Sequence, residues 1–536
     1  MKFSLFVTPT FLLSQLLPTT EQLVQAVGDC APDALEFSET MALRVEKVGS
    51  VPAINTDAFT YNMAAMDNFD GNMIFFLDQK NGLIYCYDST TSETKNVFDM
   101  TTSTIPDGLT LDWTYFAAGS TFRVKSMTKG TSSDEVVVVL TSSTLPTGWT
   151  DADATLPAPG AYSKWACDAD NLVWIPDIYR IGTIPDCFDN GAGLPSFTGY
   201  DTFVKYTVVD GELTNPLPFF VSEVNVLPGH LGGGIATIDE GILWSTGDCL
   251  AYGVDGNYAP QLDHEHCGKI LLIDPSNKGK FEVVAKGVRN SQQMRVFSIE
   301  SEMPTKAPKT TKAPKKTKKP KKAAEGRKLK PNKSKSVSKF LAFMEIGGVT
   351  AEEVNAISID KIIDSKITNF GWGRNMHDGK AREGTFYVEP GQMGMLGTQP
   401  PCAANAPVGE PGFTQPWIQF GRTADDFFYA ISSLAIPTEG TDKVKLLWAE
   451  FNTGKILGTD EGFVEGKPPV TGYKLKLYDA DGNYLEQGLN DLVKKELGEV
   501  GYYRGDPRLF HFPDGQAGVL IERTGVFYKL TEMAPV

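Results

Sequence analysis

The sequence predicts an all-β fold built as a propeller, and three observations carry that expectation. Short apolar runs rich in β-branched and aromatic residues recur through more than 400 of the 536 residues. Asp-Gly pairs, which favour tight hairpin turns, punctuate them. Stretches with a helical period are few, and 52 glycines, 33 prolines and 11% aromatic residues suit many short strands better than long helices. So many strands exceed what one sandwich uses, whereas blades repeated around a channel need them.

In chain order, Met1-Lys2-Phe3-Ser4-Leu5-Phe6-Val7 comes first, with an apolar continuation to Leu17. One lysine ahead of a short apolar run, with Val24 and Ala26 suiting cleavage before Val27, reads as a secretory signal peptide over residues 1–26. That run is too short to span a bilayer and no later one is longer, so a secreted protein without a membrane span is expected. Residues 27–54 read as an N-terminal extension and 55–533 as the propeller. Strands are expected at Met73-Ile74-Phe75-Phe76-Leu77, Glu135-Val136-Val137-Val138-Val139-Leu140, Lys269-Ile270-Leu271-Leu272-Ile273 and Lys445-Leu446-Leu447-Trp448. Turns are expected at Asp70-Gly71, Asp210-Gly211, Asp255-Gly256, Asp481-Gly482 and Asp514-Gly515. Residues 486–497 are the clearest helix candidate. Asp479-Ala480-Asp481-Gly482-Asn483 resembles part of a calcium loop, but no Glu closes it at the required spacing, so a hairpin turn is expected.

One tract breaks the pattern. Residues 301–340 hold 15 of the 50 basic residues and 2 of the 66 acidic ones, giving this tract +13 and the remainder −29. Repeated Pro, like-charge repulsion and missing apolar residues predict a disordered Lys/Pro-rich insertion over 303–337. Such a tract suits an anionic surface, a polysaccharide or a mineral, or folds back on the acidic body; a solvated insertion with no partner is the alternative. Nucleic acid fits poorly, because the lysines lack interleaved aromatics and a nuclear address conflicts with secretion.

Seven cysteines show no C-x-x-C pair, which argues for disulfides rather than a metal cluster in a secreted chain. Cys167 with Cys187 and Cys249 with Cys267 are the nearest pairs. The odd count leaves at least one thiol free or bound to another chain.

The segment with most chemistry is Pro228-Gly229-His230-Leu231-Gly232-Gly233-Gly234, followed by Gly241-Ile242-Leu243-Trp244-Ser245-Thr246-Gly247-Asp248. Three glycines in a row allow close backbone approach, and a histidine there suits general-base work near neutral pH. A purely structural histidine is the competing reading.

Further motifs follow in register. They are Asp78-Gln79-Lys80-Asn81-Gly82-Leu83-Ile84, Gly268-Lys269-Ile270-Leu271-Leu272-Ile273-Asp274 and Gly287-Val288-Arg289-Asn290-Ser291-Gln292, then Gly347-Gly348-Val349-Thr350-Ala351-Glu352-Glu353-Val354-Asn355 and Asn369-Phe370-Gly371-Trp372-Gly373. With His230-Leu231-Gly232-Gly233, and with late segments at 449–456 and 525–530, this series resembles the glucose/sorbosone dehydrogenase family across roughly residues 55–533. The family includes soluble sugar dehydrogenases that use pyrroloquinoline quinone (PQQ), and also Hedgehog-interacting-protein-like members without that chemistry.

The resemblance implies a six-bladed β-propeller with its site at one mouth of the channel. It implies His230 as the base and Arg289 as a fixed positive charge near the quinone oxygens. Gln79, Asn290 and Gln292, with Arg504 and Arg508, would contact the cofactor. Carbonyls of Gly347 and Gly348 would ligate calcium, and Glu352 and Glu353 fall where the family places a second calcium or a stabilising turn. Two departures stand out. Arg504 and Arg508 lie about one residue out of step ahead of Pro513-Asp514-Gly515, which on a strand reverses the side chain's face. The glycines expected near Ala430-Ile431-Ser432-Ser433 are absent. The implied function is PQQ- and calcium-dependent oxidation of a sugar hydroxyl or hemiacetal, with an unidentified electron acceptor. The alternative is a non-catalytic propeller that binds a glycan or protein; a propeller hydrolase lacks any motif here.

Overall fold

The computed structural model describes residues 37–52, 63–66, 72–79, 81–111, 123–150, 153, 199–209, 211–224, 232–248, 259–261, 267–302, 335–346, 351–364, 366–372, 414, 416–421, 431–441, 443–450, 453–467, 469, 471–498 and 505–533. The expected signal peptide, most of the lysine-rich insertion, His230, Arg504, Gly347 and Gly348 lie outside them.

Six small sheets form a ring, a six-bladed β-propeller. Two early strands, β1 (Phe37–Ser38) and β2 (Ala42–Ser50), join sheets completed much later. Blade 1 is β3 (Met63–Met66), β4 (Met73–Asp78), β5 (Leu83–Asp88) and β6 (Glu93–Asp99). Blade 2 is β7 (Val124–Lys129), β8 (Glu135–Ser142), β9 (Gly199–Val209) and β10 (Glu212–Val224). Blade 3 holds β11 (Ile235–Ile238), β12 (Gly241–Ser245), β13 (Lys269–Ile273) and β14 (Phe281–Lys286); blade 4 holds β15 (Met294–Glu302), β16 (Lys335–Glu345) and β17 (Ala351–Ser358). Helix α1 (Ile359–Ile362) follows, then β18 (Thr368–Asn369), which adds to blade 3, and β19 (Ile418–Gly421), which completes blade 4. Blade 5 is β20 (Ile431–Ala435), β21 (Leu446–Glu450), β22 (Ile456–Thr459) and β23 (Gly472–Lys474), with β1 outermost. After β24 (Lys476–Tyr478) and helix α2 (Asn490–Leu497), blade 6 is built from β25 (Pro507–His511), β26 (Ala517–Ile521) and β27 (Val526–Glu532), joined by β2 and then β24.

Why these runs make blades is visible in their side chains. A strand with a neighbouring blade on each face must be apolar on both, so it reads as a continuous apolar run rather than an alternation. In β8, Val136, Val138 and Leu140 pack into a core shared with blade 1, while Val137 and Val139 pack into one shared with blade 3. In β4, Phe75 and Leu77 meet blade 2, and Ile74 and Phe76 meet blade 6. In β26, Val519 and Ile521 face blade 5 and Leu520 faces blade 1. Six such cores, one per interface, close the circle.

The covalent ends close it too. β2 pairs antiparallel with β27, from Leu43 opposite Glu532 to Ser50 opposite Val526. Residues read from sequence as an N-terminal extension therefore supply the fourth strand of blade 6, so the propeller begins before residue 55. Of the helix expected over 486–497, the last eight residues form α2, which stops at Gly498 with φ +83. The carboxylate of Asp479 accepts the amides of Asp481 and Asn483, so this segment is a hairpin turn that uses its acidic group internally.

Candidate site at the inner-strand ends

β3, β7, β11, β15, β20 and β25 are the innermost strands of the six blades, and each lies beside the next blade. Of the sequence-expected site residues, Gln79, Arg289, Asn290, Gln292 and Arg508 lie where these strands begin, joined by bonds that pass from blade to blade.

Gln79 follows β4, next to the start of β3, and its side-chain amide donates to the Lys125 carbonyl at 2.6 Å. The next residue on β7, Ser126, donates its hydroxyl to the Gly233 carbonyl at 2.6 Å. The 232–234 turn then reaches the segment that opens blade 4. The Gly232 amide donates to Asn290 Oδ1 at 3.2 Å and the Gly234 amide to the Ser291 carbonyl at 3.0 Å. Gly232 and Gly233 have φ of +64 and +100, and a Cβ on Gly232 would lie 2.1 Å from the Ser245 carbonyl. Glycine at 232 is thus demanded by the turn's own closeness to β12.

Arg289 is buried. Its amide donates to Glu345 Oε1 at 2.6 Å, its guanidinium to the Ile346 carbonyl, and the guanidinium lies 5.0 Å from the centre of the Trp372 ring. The Trp372 indole N–H in turn donates to Asp248 at 2.9 Å. Glu345 stands directly across the β16–β17 ladder from Glu353. Burial, and then the Glu353 carboxylate, push the Glu345 carboxyl well above the usual range, while the Arg289 amide and guanidinium pull it back. Asn355 donates to Glu345 Oε2 at 3.4 Å. Glu352, also buried, accepts the Ile431 amide at 3.3 Å and so ties blade 4 to blade 5.

Gln292 and Arg508 come together, although 216 residues separate them: the Arg508 guanidinium donates to Gln292 Oε1 at 2.9 Å. It also donates to Glu522 at 2.6 Å and to the Ser432 carbonyl at 2.8 Å. Arg508 and Glu522 are 7% and 4% exposed. The arginine expected to grip a cofactor carboxylate therefore has an internal carboxylate partner. Arg289 and Arg508 are thus both buried and bonded within the protein, Arg289 to a backbone carbonyl and Arg508 to a carboxylate.

Sequence reasoning missed two sets of residues. Gln293 bridges blades 5 and 6, accepting from the Leu434 amide and donating to the Leu509 carbonyl. Lys125 forms a buried ion pair with Asp201. Only an isolated lysine inside the strand Val124–Lys129 hinted at the latter.

Among the described residues, no three or more His, Cys, Asp or Glu side chains are placed to hold a metal ion, and no helix is long and apolar enough to cross a membrane. Cys267 is disulfide-bonded, with its partner outside the described residues, and Cys86 is free and buried. No protein-family model matches the chain, and no curated protein matches it.

Proposed function

We propose that this protein is a secreted oxidoreductase that binds a sugar at one mouth of the propeller channel and oxidises a hydroxyl or hemiacetal, using PQQ and calcium. The observation that carries this is the junction of two segments far apart in sequence. The turn two residues beyond His230 is bonded to Asn290 and Ser291, beside Arg289. A base and a fixed cation on adjoining segments are what removal of a hydroxyl proton with loss of hydride requires. In this reading His230 takes the hydroxyl proton. Arg289 and Asn290 hold the cofactor's polar edge, with Gln79 opposite, and the Gly347 and Gly348 carbonyls hold calcium. PQQ, when bound, supplies the hydride acceptor. The disulfide at Cys267 fits an oxidising compartment. The lysine-rich insertion would meet an anionic surface.

The test is reconstitution: protein mixed with PQQ and calcium, with dye reduction followed across a panel of aldoses. Turnover with at least one aldose supports the reading; no cofactor absorbance change and no dye reduction refutes it.

A second reading, a non-catalytic propeller that binds a neutral glycan or a protein, is favoured by one observation. Arg508 is neutralised by Glu522 inside the protein, which leaves less positive charge for a tricarboxylate. Calorimetric binding of a neutral oligosaccharide without PQQ uptake would favour it.

A further inference from the structure

We propose that Lys125, paired with Asp201, is a positioning residue that sets the 232–234 turn and Gln79 at a fixed separation across the mouth. Its contacts reach three blades. Within blade 2 the Lys125 ammonium meets Asp201 on β9, and the other Asp201 oxygen accepts the Thr141 hydroxyl of β8 at 2.8 Å. Toward blade 1, the Lys125 carbonyl accepts Gln79. Toward blade 3, the ammonium lies 5.1 Å from the centre of the Trp244 ring, and Trp244 is paired with Ile235, the residue that follows the turn. The neighbouring Ser126 hydroxyl binds the Gly233 carbonyl, and a Cβ on Gly233 would lie 3.9 Å from Lys125 Cε.

The ion pair's chemistry argues for position over stability. Both side chains are nearly fully buried, at 7% and 5% exposure. Removing two charges from water costs about as much as their attraction returns, and apolar replacements of similar volume are often neutral or stabilising. What an apolar pair lacks is direction. An ammonium held by a carboxylate that a hydroxyl orients in turn has one place to sit. The backbone it fixes carries Gln79 on one side and Gly233 on the other. The effect on ligand handling rests on the proposed sugar oxidation; the effect on the turn does not.

The experiment compares wild type with the double variant Lys125→Met/Asp201→Leu and with Thr141→Val. Hydrogen exchange of the Gly233 and Gly234 amides is read by mass spectrometry, alongside thermal unfolding. The double variant should unfold within a few degrees of wild type while these amides exchange about 10-fold faster, as expected for a local opening. Thr141→Val should show a smaller increase in the same amides, and it decides the matter if the double variant does not fold. Where wild type oxidises a sugar, kcat/KM should fall in both variants without loss of bound cofactor. Unchanged exchange at Gly233 and Gly234, or loss of activity matched by an equal loss of global stability, overturns the proposal. Failed oxidation by wild type counts against the functional reading alone, because exchange still decides this one.

Discussion

Arg508 binds Glu522, Gln292 and the Ser432 carbonyl with one guanidinium, and so joins blade 6 to blade 5 and to the segment that opens blade 4. Removing one member of a buried ion pair leaves the other charge uncompensated, typically at a cost of about 3–5 kcal/mol. Arg508→Met is therefore expected to lower the unfolding midpoint markedly in a denaturant titration, and Arg508→Met/Glu522→Met to recover most of the loss. Equal midpoints for wild type and Arg508→Met would mean the pair contributes little. Cys86 gives a second residue-scale prediction. Burial pushes its thiol up from the ordinary 9.0 to about 11, with Lys95 lowering it and Asp88 raising it. A raised folded value means the group's contribution is fully present below pH 9 and is lost as pH rises towards 11. At pH 8 the folded protein should leave Cys86 unmodified by a thiol-reactive disulfide reagent, and unfolding should expose it. Prompt labelling of Cys86 in the native protein would contradict its burial.

Among the elements, the 232–234 turn is the most constrained. Gly232→Ala places a methyl group 2.1 Å from the Ser245 carbonyl at φ +64. The left-handed backbone alone costs about 1–2 kcal/mol, and the clash adds to it. The expected outcome is a lower melting temperature together with impaired ligand handling; an unchanged melting temperature would show that the turn relaxes freely. Strands such as β8 and β26 were legible because both faces meet a neighbouring blade, which leaves an uninterrupted apolar run. Hairpins were legible where glycine takes positive φ, as Gly211, Gly482 and Gly515 do. The role of Ala42–Ser50 was not legible, because pairing with β27 joins opposite ends of the chain and leaves no local signal. The nearness of Gly232 to Asn290 was reachable through motifs. Lys125–Asp201 and Arg508–Glu522 were not, since single polar residues within strands announce no partner.

Across the whole molecule, the pairing of β2 with β27 joins the two ends of the chain in blade 6, beside the core that blade 6 shares with blade 1. Truncation through Ser50 exposes the edge of β27 and strips β24 of its neighbour, so it should lower the melting temperature by more than ~10 °C or cause aggregation. A truncated protein that melts like wild type would show that the ring closes without β2. The insertion leaves blade 4 between Glu302 and Lys335, which are paired, at the end of β15 remote from residues 289–293. The two ends of the insertion therefore leave the blade at the end opposite to residues 289–293. The reaction proposed for the mouth is oxidation of a sugar with His230 as base. Its most direct measurement is dye reduction by wild type and His230→Ala, each reconstituted with PQQ and calcium, with cofactor uptake followed by absorbance in the same samples. Equal uptake is expected, with a turnover lower by about 100- to 10,000-fold in the variant. Equal turnover in the two proteins, or no uptake by wild type, would contradict it.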